Sequence, residues 1–215
     1  MNTPMITPEV IIDVVTFFIP FLFSLCFHEY AHAWTAKKFG DNTAQMMGRL
    51  SLNPMVHIDW LGTVILPIVS IVTRIPLFGW AKPVPVNSRN LSKPKEQMFW
   101  IALAGPLSNV FLFICGLLFY FLLRQQTAFV PTDQFLRMIY TFLLLNMYLA
   151  VFNMLPMHPL DGGKVISRFL PIKWDRWLEE NQGTLQMILL LLVIIGGLRI
   201  LALPVRFIVD NSISL

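Results

Sequence analysis

Charge is what this chain has least of. Asp, Glu, Lys and Arg make up 13% of its 215 residues, against about 25% in a soluble globular domain. So few charged groups cannot coat a water-facing globule, and 56% of the residues are hydrophobic with a mean hydropathy of +0.66. The chain is therefore read as resident in lipid. Cysteine is nearly missing too. Cys26 and Cys115 both sit in apolar runs and offer neither a disulfide framework nor a CxxC pair; they read as small buried hydrophobes. No Gly/Ser linker, internal repeat or low-complexity tract is apparent, which points to one membrane-embedded domain over residues 1–215. Residues 1–13 hold Glu9 and Asp13 but no Lys or Arg, so the positive n-region of a secretory signal is lacking.

Basic residues are in modest excess, with a net charge of +4 and a pI near 9.3. A nucleic-acid binder would cluster them into a stripe interleaved with aromatics. Here they stand at the ends of apolar runs, where they set topology and meet anionic head groups. Nucleic acid is excluded as a partner and membrane lipid is expected.

What the sequence does have is apolar length. Four runs, about 9–38, 97–123, 135–155 and 184–204, reach the roughly 20 residues needed to span a bilayer as helix. The expected class is an all-α polytopic membrane protein with four to five membrane segments. A fifth apolar stretch, 58–73, is shorter and holds Pro67, so it reads as a re-entrant segment. Lys37 and Lys38 close the first run, and Arg74, Lys82, Arg89, Lys93 and Lys95 follow the fifth. The positive-inside rule puts both ends on the cytoplasmic side. Arg199 and Arg206 oppose this scheme at the last span. Residues 78–90 carry Pro83 and Pro85. On a strand both missing N–H groups would share one edge and leave the other free to pair, so the stretch is either a proline-rich loop or a substrate-pairing strand.

The chemistry starts at HEYAH, residues 28–32. On a helix, positions i and i+4 lie about 40° apart around the axis and one turn apart along it. His28 and His32 can thus hold one metal ion, with Glu29 beside them as general base acting on water: the HExxH zinc arrangement. Ionisable groups at membrane depth are costly, which sharpens the reading. From Val10 to His28 is about 27 Å of helix and from His32 to Lys37 about 7 Å, placing the ion toward the cytoplasmic end. A catalytic zinc takes three protein ligands and keeps a fourth position open. The third candidate is Asp161, in NMLPMHPLDGG at 153–163, which follows the returning helix on the same side. Its other reading is a helix N-cap.

These motifs resemble the site-2 protease family of intramembrane metalloproteases, in a compact form without PDZ or CBS domains. HEYAH matches its HExxH, FNMLPMHPLDGG at 152–163 its Asn–Pro–Leu-Asp-Gly motif, and AGPLSN at 104–109 the Gly-Pro segment between them. The resemblance implies a catalytic core of the helices 9–38, 97–123 and 135–155. It also implies one zinc ion per chain on His28, His32 and Asp161, with Glu29 as base and Asn153 near the substrate backbone or the oxyanion. The implied activity is hydrolysis of a transmembrane protein or peptide substrate in a bacterial cell membrane, on its cytoplasmic side. His57 and His158 match no ligand position and read as structural. A silent metal-binding relative, an ion transporter and an iron(II) site remain open at this level, as do the substrate and the oligomeric state.

Overall fold

The computed structural model describes residues 7–73, 79–126, 130–197 and 199–214. Arg74 of the basic segment and Phe78 of the proline-rich stretch lie outside them. The described residues are helical with no strand among them. Three helices are long and apolar enough to cross a membrane: α1 (Pro8–Lys38), α4 (Pro94–Gln125) and α5 (Asp133–Asn153). Each opens as its sequence dictates. Pro8 and Pro94 stand in the first turn, where no N–H partner is lost, and Thr132 caps α5 by accepting from the Phe135 N–H at 3.3 Å. Glu9 and Glu96 lie at the positive ends of α1 and α4, and Lys37, Lys38 and Arg124 at their negative ends. α1 stops at Gly40, whose φ of +97° takes the left-handed turn that favours glycine.

Between α1 and α4 the chain forms a short helix α2 (Thr43–Met46), a 3-10 turn at Pro54–Val56, and an apolar helix. That helix begins as a π-turn at Trp60–Ile65 and continues as α3 (Leu66–Thr73). Residues 80–82 return beside its start. The Trp80 N–H donates to Gly62 O at 3.2 Å and the Lys82 N–H to His57 O at 3.0 Å, so the chain enters and leaves this stretch at one place. After α5 come α6 (Asp161–Ser167), α7 (Ile172–Glu180), α8 (Gln182–Ile194) and α9 (Arg199–Ile213).

α1, α4 and α5 pack pairwise, α6 lies on α4, and α9 lies on α5 and α4. One apolar core joins Phe113, Ile139, Leu143, Val205 and Val209. Deeper between the long helices the core is polar: Ser24, Asn109 and Asn146 are all fully buried. The outward faces remain apolar, with Ile19, Phe23, Phe111, Ile114 and Leu122 exposed, as lipid contact requires.

The last expected span, 184–204, is found divided. α8 ends at Ile194, Gly196 turns with φ +77°, and α9 runs on to Ile213. Hydropathy does not register this break because two glycines barely lower the average of a run otherwise built of Leu, Ile and Val. The stretch 79–87 holds neither helix nor strand, and the N–H groups of Trp80, Lys82 and Val84, on the edge that the prolines leave able to pair, bond back within the chain.

Asp41 secures the loop beneath α1. It is fully buried and accepts from the Asn87 N–H at 2.7 Å and the Asn90 Nδ2 at 2.8 Å. Burial alone would raise its pKa, but these bonds and those from Thr43 hold it below the ordinary carboxylate value. A carboxylate whose folded pKa is depressed stabilises the fold above its unfolded pKa, about 3.9, and loses that contribution as pH falls through the lower folded value. Asp41→Ala is expected to cost about 2 kcal/mol or more at pH 7, by loss of hydrogen bonds to a charged acceptor. Thermal unfolding in detergent at pH 7 and pH 3 checks this, with the difference between variant and wild type shrinking at the lower pH.

Candidate metal centre

α1 carries His28 and His32 on one face, their ring centroids 4.6 Å apart and their planes nearly perpendicular. The two Nε2 atoms are 3.0 Å apart. α6 supplies the third group, Asp161, with Oδ2 at 3.2 Å from each Nε2. All three residues are buried, and among the described residues they form the one cluster with metal-ligand spacing. A helix N-cap role for Asp161 does not describe this geometry. Leu160 is the N-cap, without a side-chain bond, and the Asp161 carboxylate turns to the imidazoles instead.

Two glycines make that approach available. A Cβ on Gly162 would strike the carbonyls of Met154 and Leu155, and one on Gly163 would lie 2.7 Å from the backbone of Met157 and His158. The loop after α5 can therefore fold onto the first turn of α6 only where no side chain intervenes.

The donor set fits a divalent cation. His32 Nδ1 is 2.7 Å from Ile101 O, and a carbonyl can only accept, so Nδ1 bears the proton and a neutral ring leaves Nε2 as a bare lone pair. That lone pair faces a second imidazole nitrogen and a carboxylate oxygen in a buried site. With both rings neutral the contact is repulsive unless a metal ion lies among them, the other relief being a proton on one Nε2 shared with the carboxylate. Tetrahedral zinc with ligand distances near 2.0–2.1 Å sets its ligand atoms about 3.3 Å apart, close to the separations found. Gly105 on α4 closes the site from above: a Cβ there would lie 2.6 Å from His28 Cε1 and nearer still to His32 Nε2.

The cluster opens on a cavity of about 380 Å³ between α1, α4, α5, α8 and the extended stretch 79–86. Glu29 lines it and is buried, with Oε2 accepting from the Val84 N–H at 3.0 Å. Asn153, at the end of α5, also lines it, and its Nδ2 donates to Leu149 O at 3.0 Å. His57 and His158 stand apart from the cluster. His57 is buried against Ser51 O at 2.7 Å. His158 has Nε2 3.4 Å from Ser167 Oγ, and burial together with Lys164 pushes its pKa below the ordinary value.

Three participants have no motif of their own. Asn109 has Oδ1 2.6 Å from His28 Nδ1, 81 positions away; Ile101 contributes only a carbonyl; Gly105 contributes the absence of a side chain. The AGPLSN segment holds both Gly105 and Asn109 and is the one sequence signal that reaches them.

The chain matches the model of peptidase family M50 over residues 16–131 and 126–196. It is 35% identical over 190 residues to "Putative zinc metalloprotease YwhC" of Bacillus subtilis (strain 168), covering 83% of this chain and 81% of that protein. Rip2 of Mycolicibacterium smegmatis, given the same description, is 30% identical over 80% of this chain, which spans 64% of its length. "Zinc metalloprotease MJ0392" of Methanocaldococcus jannaschii is 28% identical over 73% of this chain and 35% of its own. No solved structure matches.

Gly105→Ala is expected to force both imidazoles off their common point and lower zinc content at least tenfold, with helix content unchanged. Metal analysis of the purified variant beside its circular dichroism spectrum measures both quantities; wild-type zinc would show that the rings have room to move.

Proposed function

The chain belongs to peptidase family M50 and is a zinc metalloprotease of the site-2 type; from that premise we propose that it hydrolyses peptide bonds of membrane-protein substrates within the bilayer. His28, His32 and Asp161 hold one zinc ion in this reading, Glu29 is the general base, and residues 1–215 work as one membrane-embedded unit. The observation that carries it is the convergence of two imidazoles from α1 and a carboxylate from α6 within 3.0–3.2 Å, beside a buried glutamate, on a helix long enough to span. From Pro8 to His28 is about 30 Å of that helix and from His32 to Lys38 about 9 Å. The site therefore falls near the basic end of α1, which the positive-inside rule assigns to the cytoplasmic face of a bacterial cell membrane.

Zinc, when bound, polarises the scissile carbonyl and makes water at the site acidic near neutral pH. Glu29 takes the proton of the attacking water and returns it to the leaving nitrogen. Its Oε2 is already held by the Val84 N–H, which fixes the carboxylate while Oε1 serves proton transfer. Asn153 has one amide hydrogen committed to Leu149 O and a second available for the substrate carbonyl or the oxyanion. Lys164, Gln182 and Gln186 line the same cavity and give water a polar approach.

A substrate helix must unwind to expose a peptide bond. The N–H groups of Trp80, Lys82 and Val84 all bond inward, so by the two-residue period of extended chain the carbonyls of Ala81, Pro83 and Pro85 share the other edge. That edge lacks donors at both prolines and suits a partner that supplies its own N–H groups. The apolar stretch 58–73, entered and left at one place, is read as re-entrant.

With a model transmembrane substrate in detergent, Glu29→Gln is expected to lose about 10²–10⁴-fold in rate while keeping its zinc, and Asp161→Ala to lose the zinc as well. Equal cleavage by wild type and Glu29→Gln would end the protease reading, and full zinc in Asp161→Ala would remove that residue from the ligand set.

A further inference from the structure

The metal cluster leaves a buried chain of amides unexplained. Asn109 Oδ1 stands 2.6 Å from His28 Nδ1. Asn109 Nδ2 donates to Asn146 Oδ1 at 3.0 Å and to Ser24 O at 3.3 Å. Asn146 Nδ2 donates to Phe142 O at 2.9 Å and to Ser24 Oγ at 2.8 Å. Ser24, Asn109 and Asn146 are each fully buried and come from α1, α4 and α5 respectively. A carboxamide is pseudo-symmetric, and turned over it would present Nδ2 where Oδ1 now lies. His28 would then have to accept at Nδ1, carry its proton on Nε2, and lose its metal-facing lone pair.

The backbone forbids that reversal. Phe142 O and Ser24 O can accept but never donate. Phe142 O therefore pins Nδ2 of Asn146 and turns its Oδ1 toward Asn109. Asn109 must answer with Nδ2, which Ser24 O also requires, and so shows Oδ1 to His28. His28 Nδ1 must then donate, which leaves Nε2 bare. Each link has one allowed polarity, and the whole is set by two main-chain carbonyls.

We propose that Asn109 and Asn146 are positioning residues that relay the acceptor-only character of Phe142 O and Ser24 O to His28, fixing the tautomer in which Nε2 is the ligand. His32 needs no such relay, because Ile101 O meets its Nδ1 directly. The proposal rests on His28 being a zinc ligand, and outer hydrogen bonds of this kind are typically worth 10–100-fold in metal affinity.

Three variants separate polarity from packing. Asn109→Leu and Asn146→Leu remove the relay. Asn109→Asp keeps an acceptor for His28 Nδ1 but loses the donor that bonded Asn146 Oδ1 and Ser24 O, so it damages the network while preserving the signal. Zinc affinity is read by chelator competition on full-length protein in detergent. The tautomer is read on metal-free protein at alkaline pH, where the rings are neutral, from the ¹⁵N shifts of its four histidines, and thermal midpoints are recorded beside both. Asn109→Leu and Asn146→Leu are expected to bind zinc 10–100-fold more weakly and to show His28 in both tautomers. Asn109→Asp is expected to melt lower than wild type yet keep zinc affinity within about threefold and a single Nδ1–H tautomer. If Asn109→Asp loses as much affinity as Asn109→Leu, or if both leucine variants bind as wild type does, the relay is wrong. Failure of wild type itself to bind zinc would instead overturn the metal reading on which the relay depends.

Discussion

Two imidazole nitrogens and a carboxylate oxygen, each an electron-pair donor, are held about 3 Å apart in a buried site. Placed in a low-dielectric interior, such a set is unfavourable by itself and strongly favourable around a divalent cation. Much of the surrounding structure makes sense as the means of bringing these donors together. α1 supplies two at helical spacing, α6 is carried across by a glycine-lined turn, and α4 leaves a gap at Gly105 where the rings meet.

The same constraint accounts for the polar centre of an otherwise apolar bundle. Helices in lipid gain little from apolar contact with one another, since acyl chains offer the same, and depend more on close packing and interhelical hydrogen bonds. Ser24, Asn109 and Asn146 join α1, α4 and α5 in this way and touch the metal site at one end. Bundle geometry and ligand geometry therefore share one network, and a change in either is felt by the other. The stretch 79–87 is tied to the same region from the end of α1. Its Val84 N–H reaches Glu29 and its Asn87 N–H reaches Asp41, so the segment beside the cavity is registered against both the HEYAH turn and the loop that follows α1.

Local spacing was legible in the sequence and distant polarity was not. His28, Glu29 and His32 announce themselves because a helix converts four positions into one face. Asp161 could be named because an incomplete donor set and a glycine pair pointed to it, although no local rule brings it 133 positions back to His28. Asn109 and Ile101 O escaped notice because the partner of a ring Nδ1 is chosen by the packing of α4 on α1, and a main-chain carbonyl leaves no mark in composition. The three long helices were found to within a few residues by their apolar length. The fourth run was not, since hydropathy averages across Gly196-Gly197 and misses the turn that separates α8 from α9. The Pro83 and Pro85 pattern put both missing donors on one edge, but the edge it left to pair is the one whose N–H groups at 80, 82 and 84 bond inward, a choice that packing makes.

X-ray absorption at the zinc edge on the purified, zinc-loaded protein addresses the coordination set itself. The account predicts two imidazole nitrogens with one or two further light-atom ligands at about 2.0–2.1 Å and no sulfur at about 2.3 Å, and no zinc signal from the His28→Ala, His32→Ala double variant. A spectrum dominated by sulfur, or one left unchanged by that double substitution, would contradict it.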